Sequence, residues 1–141
     1  MQKLRPLLTA LFMVVALFFG ACTSHPVDKR IHASIIGTWQ GEETGAILTI
    51  YGDGRFTLEK AAGVPEGTVI RGKLERGFDD VCIIYTTPAS ICQSSAGIYR
   101  LTPVDGRMEA EVLREDCPAR AAQMDHAWKL LNMTPKPFPG K

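Results

Sequence analysis

The chain has 141 residues, with 16 basic and 15 acidic side chains and four cysteines. So small a net charge gives no electrostatic reason to expect nucleic acid as a partner. The length suits one small domain, not two.

The chain opens with basic residues, Lys3 and Arg5, and Leu7 to Phe19 is almost wholly apolar before the small pair Gly20-Ala21. That is the layout of a secretory signal. A membrane-spanning reading is weaker, because Pro6 to Ala21 is only 16 residues, short of the ~20 a transmembrane helix needs, and no second apolar run follows. Residues 1–21 are therefore expected to be removed on export. Lys3 and Arg5 go with them, which leaves 14 basic against 15 acidic residues.

The end of this signal, Phe18-Phe19-Gly20-Ala21-Cys22, resembles the lipobox of bacterial lipoproteins, with Phe19 where leucine is usual. The resemblance implies cleavage before Cys22, a thioether-linked diacylglycerol on its sulfur and a further acyl chain, such as palmitate, on its amine. Two or more chains anchor a protein stably, where one does so only marginally. Thr23, in place of an aspartate after the cysteine, implies the outer membrane, with the protein facing the periplasm. The competing reading is an ordinary signal peptide that leaves Cys22 as a structural thiol.

Residues 22–34 read as a flexible tether: Thr23 to Ser34 is polar, contains a proline and has no period of two or of 3.6. Residues 35–132 read as one β domain, built of short β-branched and aromatic runs broken by Gly, Pro or Asp-Gly turns. The predicted strands are 36–42, 46–51, 55–60, 68–75, 81–86, 98–102, 107–113 and 127–132. Asp53-Gly54 and Asp105-Gly106 supply the positive-φ residues of tight hairpins. Phe56 and Leu58 alternate with Thr57 and Glu59, and Met108, Ala110 and Val112 with Glu109 and Glu111, so both arms are expected to keep one wet face.

Eight such strands in a row predict a small all-β fold, an antiparallel up-and-down barrel that closes on itself to avoid exposed edges. Its interior would either be filled by side chains or hold one small ligand. Pro118 to Asp125 breaks the strand pattern; Pro118 suits a first helical position, and a short helix before the last strand is expected to cap one mouth. The tail, 133–141, carries three prolines between Thr134 and Lys141 and cannot continue a helix or central strand.

These residues resemble a family. Gly37-Thr38-Trp39 followed by Asp53-Gly54-Arg55-Phe56, and later Gly97-Ile98-Tyr99-Arg100-Leu101, Asp105-Gly106, Asp116-Cys117-Pro118-Ala119-Arg120 and Trp128, look like the opening and closing strands of lipocalin-like bacterial envelope domains. The resemblance implies an eight-stranded barrel, and binding rather than catalysis. It also implies barrel-closing roles for Gly37, Trp39 and Arg120, with Trp39 plugging the closed end and the Arg120 guanidinium packed over its indole, a contact of the cation–π kind.

With Cys22 lipidated, Cys82, Cys92 and Cys117 remain, an odd number in an oxidising compartment. The hairpin at Asp105-Gly106 brings Cys92 and Cys117 to one end, and the family has cysteines at both positions, so this pair is the expected disulfide. The alternative is Cys82–Cys92 across a hairpin at Thr87-Pro88. Cys82 would then be a buried, inert thiol in the first case. No metal or other cofactor is expected: His25 and His32 lie in the tether, His126 stands beside Asp125, and no zinc-site spacing occurs. The acidic pairs Glu42-Glu43, Asp79-Asp80 and Glu115-Asp116 read as solvated carboxylates at strand ends. The functional expectation is a lipid-anchored, non-catalytic envelope protein whose partners are the membrane and a small hydrophobic or amphipathic ligand. The alternative is a protein-interaction module, such as a periplasmic protease or hydrolase inhibitor.

Overall fold

The computed structural model describes residues 31–77, 81–87, 92, 95–135 and 138. The signal, Cys22, His25, the tether before Ile31 and the pair Asp79-Asp80 lie outside the described residues. A 3₁₀ turn, Ala33–Ile35, leads into eight strands: β1 (Gly37–Gly41), β2 (Ile47–Ile50), β3 (Arg55–Glu59), β4 (Val69–Arg76), β5 (Val81–Thr87), β6 (Gly97–Val104), β7 (Arg107–Arg114) and β8 (Ala127–Asn132). One helix, α1 (Pro118–Met124), precedes β8. Each strand pairs antiparallel with the next, and β8 returns to β1, closing the barrel. This small all-β architecture is consistent with a lipocalin-like fold in general. Observed strand ends fall within two residues of the expected ones.

Local chemistry explains the turns. Asp105 (φ 48°) and Gly106 (φ 76°) both occupy the left-handed region between β6 and β7, as a two-residue hairpin of matching twist requires. The β2–β3 turn is longer: Gly54 N–H bonds the Tyr51 carbonyl at 3.0 Å, and the Asp53 carboxylate accepts the Arg55 amide at 3.0 Å. Residues alternate between core and solvent most regularly along β4, where Ile70, Gly72 and Leu74 are buried. One expected wet position is dry. Thr57 is buried on the outer side of β3, flanked in the ladder by a buried Thr49 and by Arg71.

The interior is filled. Leu48, Ile50, Phe56, Leu74, Ile84 and Leu101 meet Met124 of α1 and leave no volume for a water molecule. Trp39, Tyr99, Met108 and Trp128 complete the core, each essentially inaccessible. Closure is uneven along the barrel. β8 pairs with β1 from Thr38 to Gly41 but with β7 only at Arg107–Glu109, so the second half of β7 runs past it. There α1 packs against β7 and sends Met124 inward.

Both terminal segments touch the domain. Ile31 belongs to the core cluster, and His32 caps the 3₁₀ turn, so the end of the expected tether is part of the domain. The reason is apolar area: a buried isoleucine is worth far more against the barrel than in water. In the proline-rich tail, Phe138 lies edge-on to Tyr51 at 5.0 Å and beneath the Arg55 guanidinium at 4.1 Å. Among the described residues no helix is long and apolar enough to cross a membrane.

Gly72 faces Phe56 across the β3–β4 ladder, and a Cβ there would collide with the Phe56 ring and the Tyr85 carbonyl. Gly72→Ala should therefore cost about 1–3 kcal/mol through overpacking. That outweighs the ~0.4–1 kcal/mol gained by restricting the unfolded chain. Urea unfolding should show a lower midpoint at unchanged slope; an unshifted midpoint would mean the ring moves aside freely.

Candidate functional site

The barrel has two unlike ends. At the helix end, the described residues of the loops after β1, β3, β5 and β7 lie on the side of α1. At the entry end, the incoming chain, the 3₁₀ turn, the β2–β3 and β6–β7 turns and the close of β8 meet.

The helix end is built on Glu115. Its carboxylate accepts from Arg120 Nε at 2.6 Å, Arg120 Nη2 at 2.7 Å, the Cys117 amide at 2.7 Å and, in a short hydrogen bond, the Tyr99 hydroxyl. Arg120 Nη1 reaches the Ser95 carbonyl at 2.9 Å, which ties α1 to the β5–β6 loop. Glu115 and Arg120 side chains are each only 2% exposed. Burial works against ionisation of Glu115, but hydrogen bonds from Arg120, Tyr99 and the Cys117 amide, with the Arg120 charge, outweigh it and hold the carboxyl below its ordinary range. Burial, and then its bond to Glu115, pushes the Tyr99 phenol up. Gly97 makes room for this cluster, since a Cβ there would strike both Glu115 and Tyr99.

Two further clamps hold α1. Gln123 pairs with the Ala62 backbone in both directions, donating at 2.6 Å and accepting at 3.3 Å. Cys117, the residue before the helix, is disulfide-bonded to Cys92 with a Cα separation of 5.6 Å. The alternative bridge fails on register. Cys82 sits at the start of β5 opposite Tyr99, and the remaining length of that strand separates it from Cys92.

Expected roles for several residues change here. The family resemblance implies Arg120 over the Trp39 indole; in the structure Arg120 sits on Glu115 instead, because α1 lies at the helix end while Trp39 is tied to the other. The Trp39 indole N–H donates to the Ile35 carbonyl at 3.0 Å and so pins the 3₁₀ turn. Gly37, at the start of β1, lets the chain pass the Asn132 carbonyl, which a Cβ would meet at 2.7 Å. Glu115 is no solvated carboxylate. The spacing Glu115-x-Cys117-Pro118-x-Arg120 is the sequence signal for it, an acid three residues before a helix start whose first turn carries the arginine. His126, beside Asp125 in the sequence, is buried, stacked on Trp128 with ring centroids 4.4 Å apart, and 3.4 Å from the Thr44 hydroxyl. Burial pushes its pKa down, against the pull of Glu43 and Asp125.

Among the described residues, a recess lies at the entry end. Its volume is about 280 Å³, and it is lined by Ile31, Ile35, Cys82, Leu101 and Pro103, with His32, Ser34 and Arg76 as its polar members. By contrast, the void beneath α1, beside Phe56, Ile84 and Gln123, is about 20 Å³. Cys82 is a buried thiol outside the disulfide, on the recess wall. Among the described residues no group of three or more His, Cys, Asp or Glu side chains is placed to hold a metal ion. Comparison of the chain with protein-family models, with curated proteins and with solved structures finds no match in any of the three.

Glu115→Gln should cost about 3–5 kcal/mol at neutral pH, because Arg120 would stay buried without its counter-charge. The wild type should also lose stability in acid. With the folded carboxyl held below its ordinary value of 4.5, the Glu115 contribution is fully present above that pH. It is lost as pH falls toward the folded value, since the unfolded chain takes up the proton first. Urea titrations from pH 7 to pH 3 should show this slope in the wild type and a shallower one in the variant; parallel slopes would contradict the assignment.

Proposed function

We propose that this chain is a non-catalytic lipoprotein of the bacterial outer membrane, acylated on Cys22 and facing the periplasm, that binds a small amphipathic ligand at the entry end of its barrel. The barrel architecture is consistent with small-molecule binding, and the recess is the observation that carries this reading. Its volume, about 280 Å³, approaches the ~300–1,000 Å³ of small-molecule sites. Apolar Ile31, Ile35, Leu101 and Pro103 suit a hydrocarbon segment, and Arg76 suits an anionic or polar head. The packed core moves the ligand away from the barrel centre, where an eight-stranded barrel with a smaller filling would hold it. The address is supported by the signal and the lipobox-like Phe19-Gly20-Ala21-Cys22.

A long-chain fatty acid carrying an environment-sensitive dye is a direct probe. The full-length protein should bind it with saturable, one-to-one fluorescence enhancement. Ser34→Trp, which fills the recess from a partly exposed position, should weaken binding at least tenfold, and Arg76→Glu should weaken an anionic probe more than a neutral one. No uptake, or uptake indifferent to both substitutions, overturns the reading. The packed interior would then favour the second one, a rigid scaffold whose loops contact another envelope protein such as a hydrolase.

A further inference from the structure

The up-and-down order fixes where the chain enters. Ile31 packs at the same end as the recess, the Asp105-Gly106 turn and the close of β8. The most exposed large apolar side chains among the described residues gather there as well: Val104 at 59%, Met133 at 53% and Leu131 at 51%, against 37–41% for Val69, Tyr85 and Leu113. The Leu130 amide bonds the Gly106 carbonyl at 2.8 Å, which draws β8 alongside the β6–β7 turn. Val104 and Leu131 therefore flank that turn, and Met133 follows. Exposed apolar side chains so grouped mark a contact surface.

The charges beside them are mixed. Arg107 and Lys129 sit in one row with Val104 on the outer face, but Arg107 is held by both oxygens of Glu42. Asp105 occupies the turn itself. Apolar contact, with Lys129 as a cation beside it, is the chemistry of an interfacial lipid surface rather than of a strongly charged partner. Chain length points the same way. Cys22 and Ile31 are nine residues apart, and a fully extended chain of that length spans at most about 30 Å.

We infer that the entry end docks on the bilayer, with Val104, Leu131 and Met133 at the lipid interface and the recess opening toward the leaflet. This rests on the lipid anchor proposed above. The ligand is then a single-chain amphiphile drawn from the membrane, and the helix end points into the periplasm.

The test uses the full-length acylated protein on vesicles of phosphatidylethanolamine and phosphatidylglycerol containing a lipid with a nitroxide headgroup. Amide signals around Val104, Leu131 and Met133 should broaden at least several-fold more than those of Pro118–Met124. A triple variant, Val104→Asp, Leu131→Asp and Met133→Asp, should abolish the difference without loss of fold, since all three are exposed. The intact mass of the membrane form separates the two ideas. Equal broadening at both ends of a protein whose mass shows acyl chains sinks the docking alone. A mass without acyl chains sinks the anchor and the docking together.

Discussion

Four donors converge on the Glu115 carboxylate, and the closed form of this barrel depends on them. β8 cannot seal the barrel along its whole length, because its ladder with β7 stops after Glu109. The remaining side must be covered by α1, a helix of seven residues, far too short to be stable by itself. Its position is therefore imposed from outside. Glu115 fixes its first turn through Arg120 and its start through the Cys117 amide, while Tyr99 carries the same constraint into β6. A buried ion pair adds little net stability compared with apolar packing, but losing one partner is costly. That asymmetry makes the cluster a specifier of geometry. The 92–117 bridge works on the other side of the equilibrium, restricting the unfolded chain across a separation of 25 residues.

The entry end is closed by lighter means. One indole hydrogen bond from Trp39 holds the 3₁₀ turn, and Ile31 and Ile35 cover the core beneath it. The imidazole of His32 meets the Ser34 side chain to finish the turn. None of these groups is an ion pair or a covalent link. The recess lies at this end, and its wall reaches Cys82.

The strands and turns were legible in the sequence because their signals are local. Alternation along β3, broken in the fold by the buried Thr57, and along β7, the Asp-Gly pairs and Pro118 each act within a few residues, and the eight-strand spacing then leaves closure as the economical solution. Burial of charge is not local. Glu115 looks like any carboxylate after a strand until Tyr99, Arg120 and Ser95 are brought to it from separate elements. His126 likewise looks exposed beside Asp125 until Trp128 and Thr44 enclose it. The expectation that Arg120 packs over Trp39 came from family resemblance alone, and it fails because Arg120 meets the Glu115 carboxylate at the opposite end of the barrel. Ile31 was lost in a polar stretch because one apolar residue carries no period.

Filling of the interior follows from side-chain size and one glycine. Strands of an eight-stranded barrel stand close enough that two tryptophans, a tyrosine and a phenylalanine leave little behind, and Gly72 gives the Phe56 ring the space it needs to lie inward. Met124, unbranched and adaptable, then takes up the irregular gap under α1. A ligand admitted to this centre would have to displace Met124, and with it a helix held by a disulfide, a buried ion pair and the Gln123 clamp on Ala62. At the entry end, among the described residues, it would meet the 3₁₀ turn and the recess wall of Arg76, Cys82, Leu101 and Pro103. Among the described residues, uptake that leaves the lock intact is therefore easier at the entry end, the end nearest Cys22 along the chain.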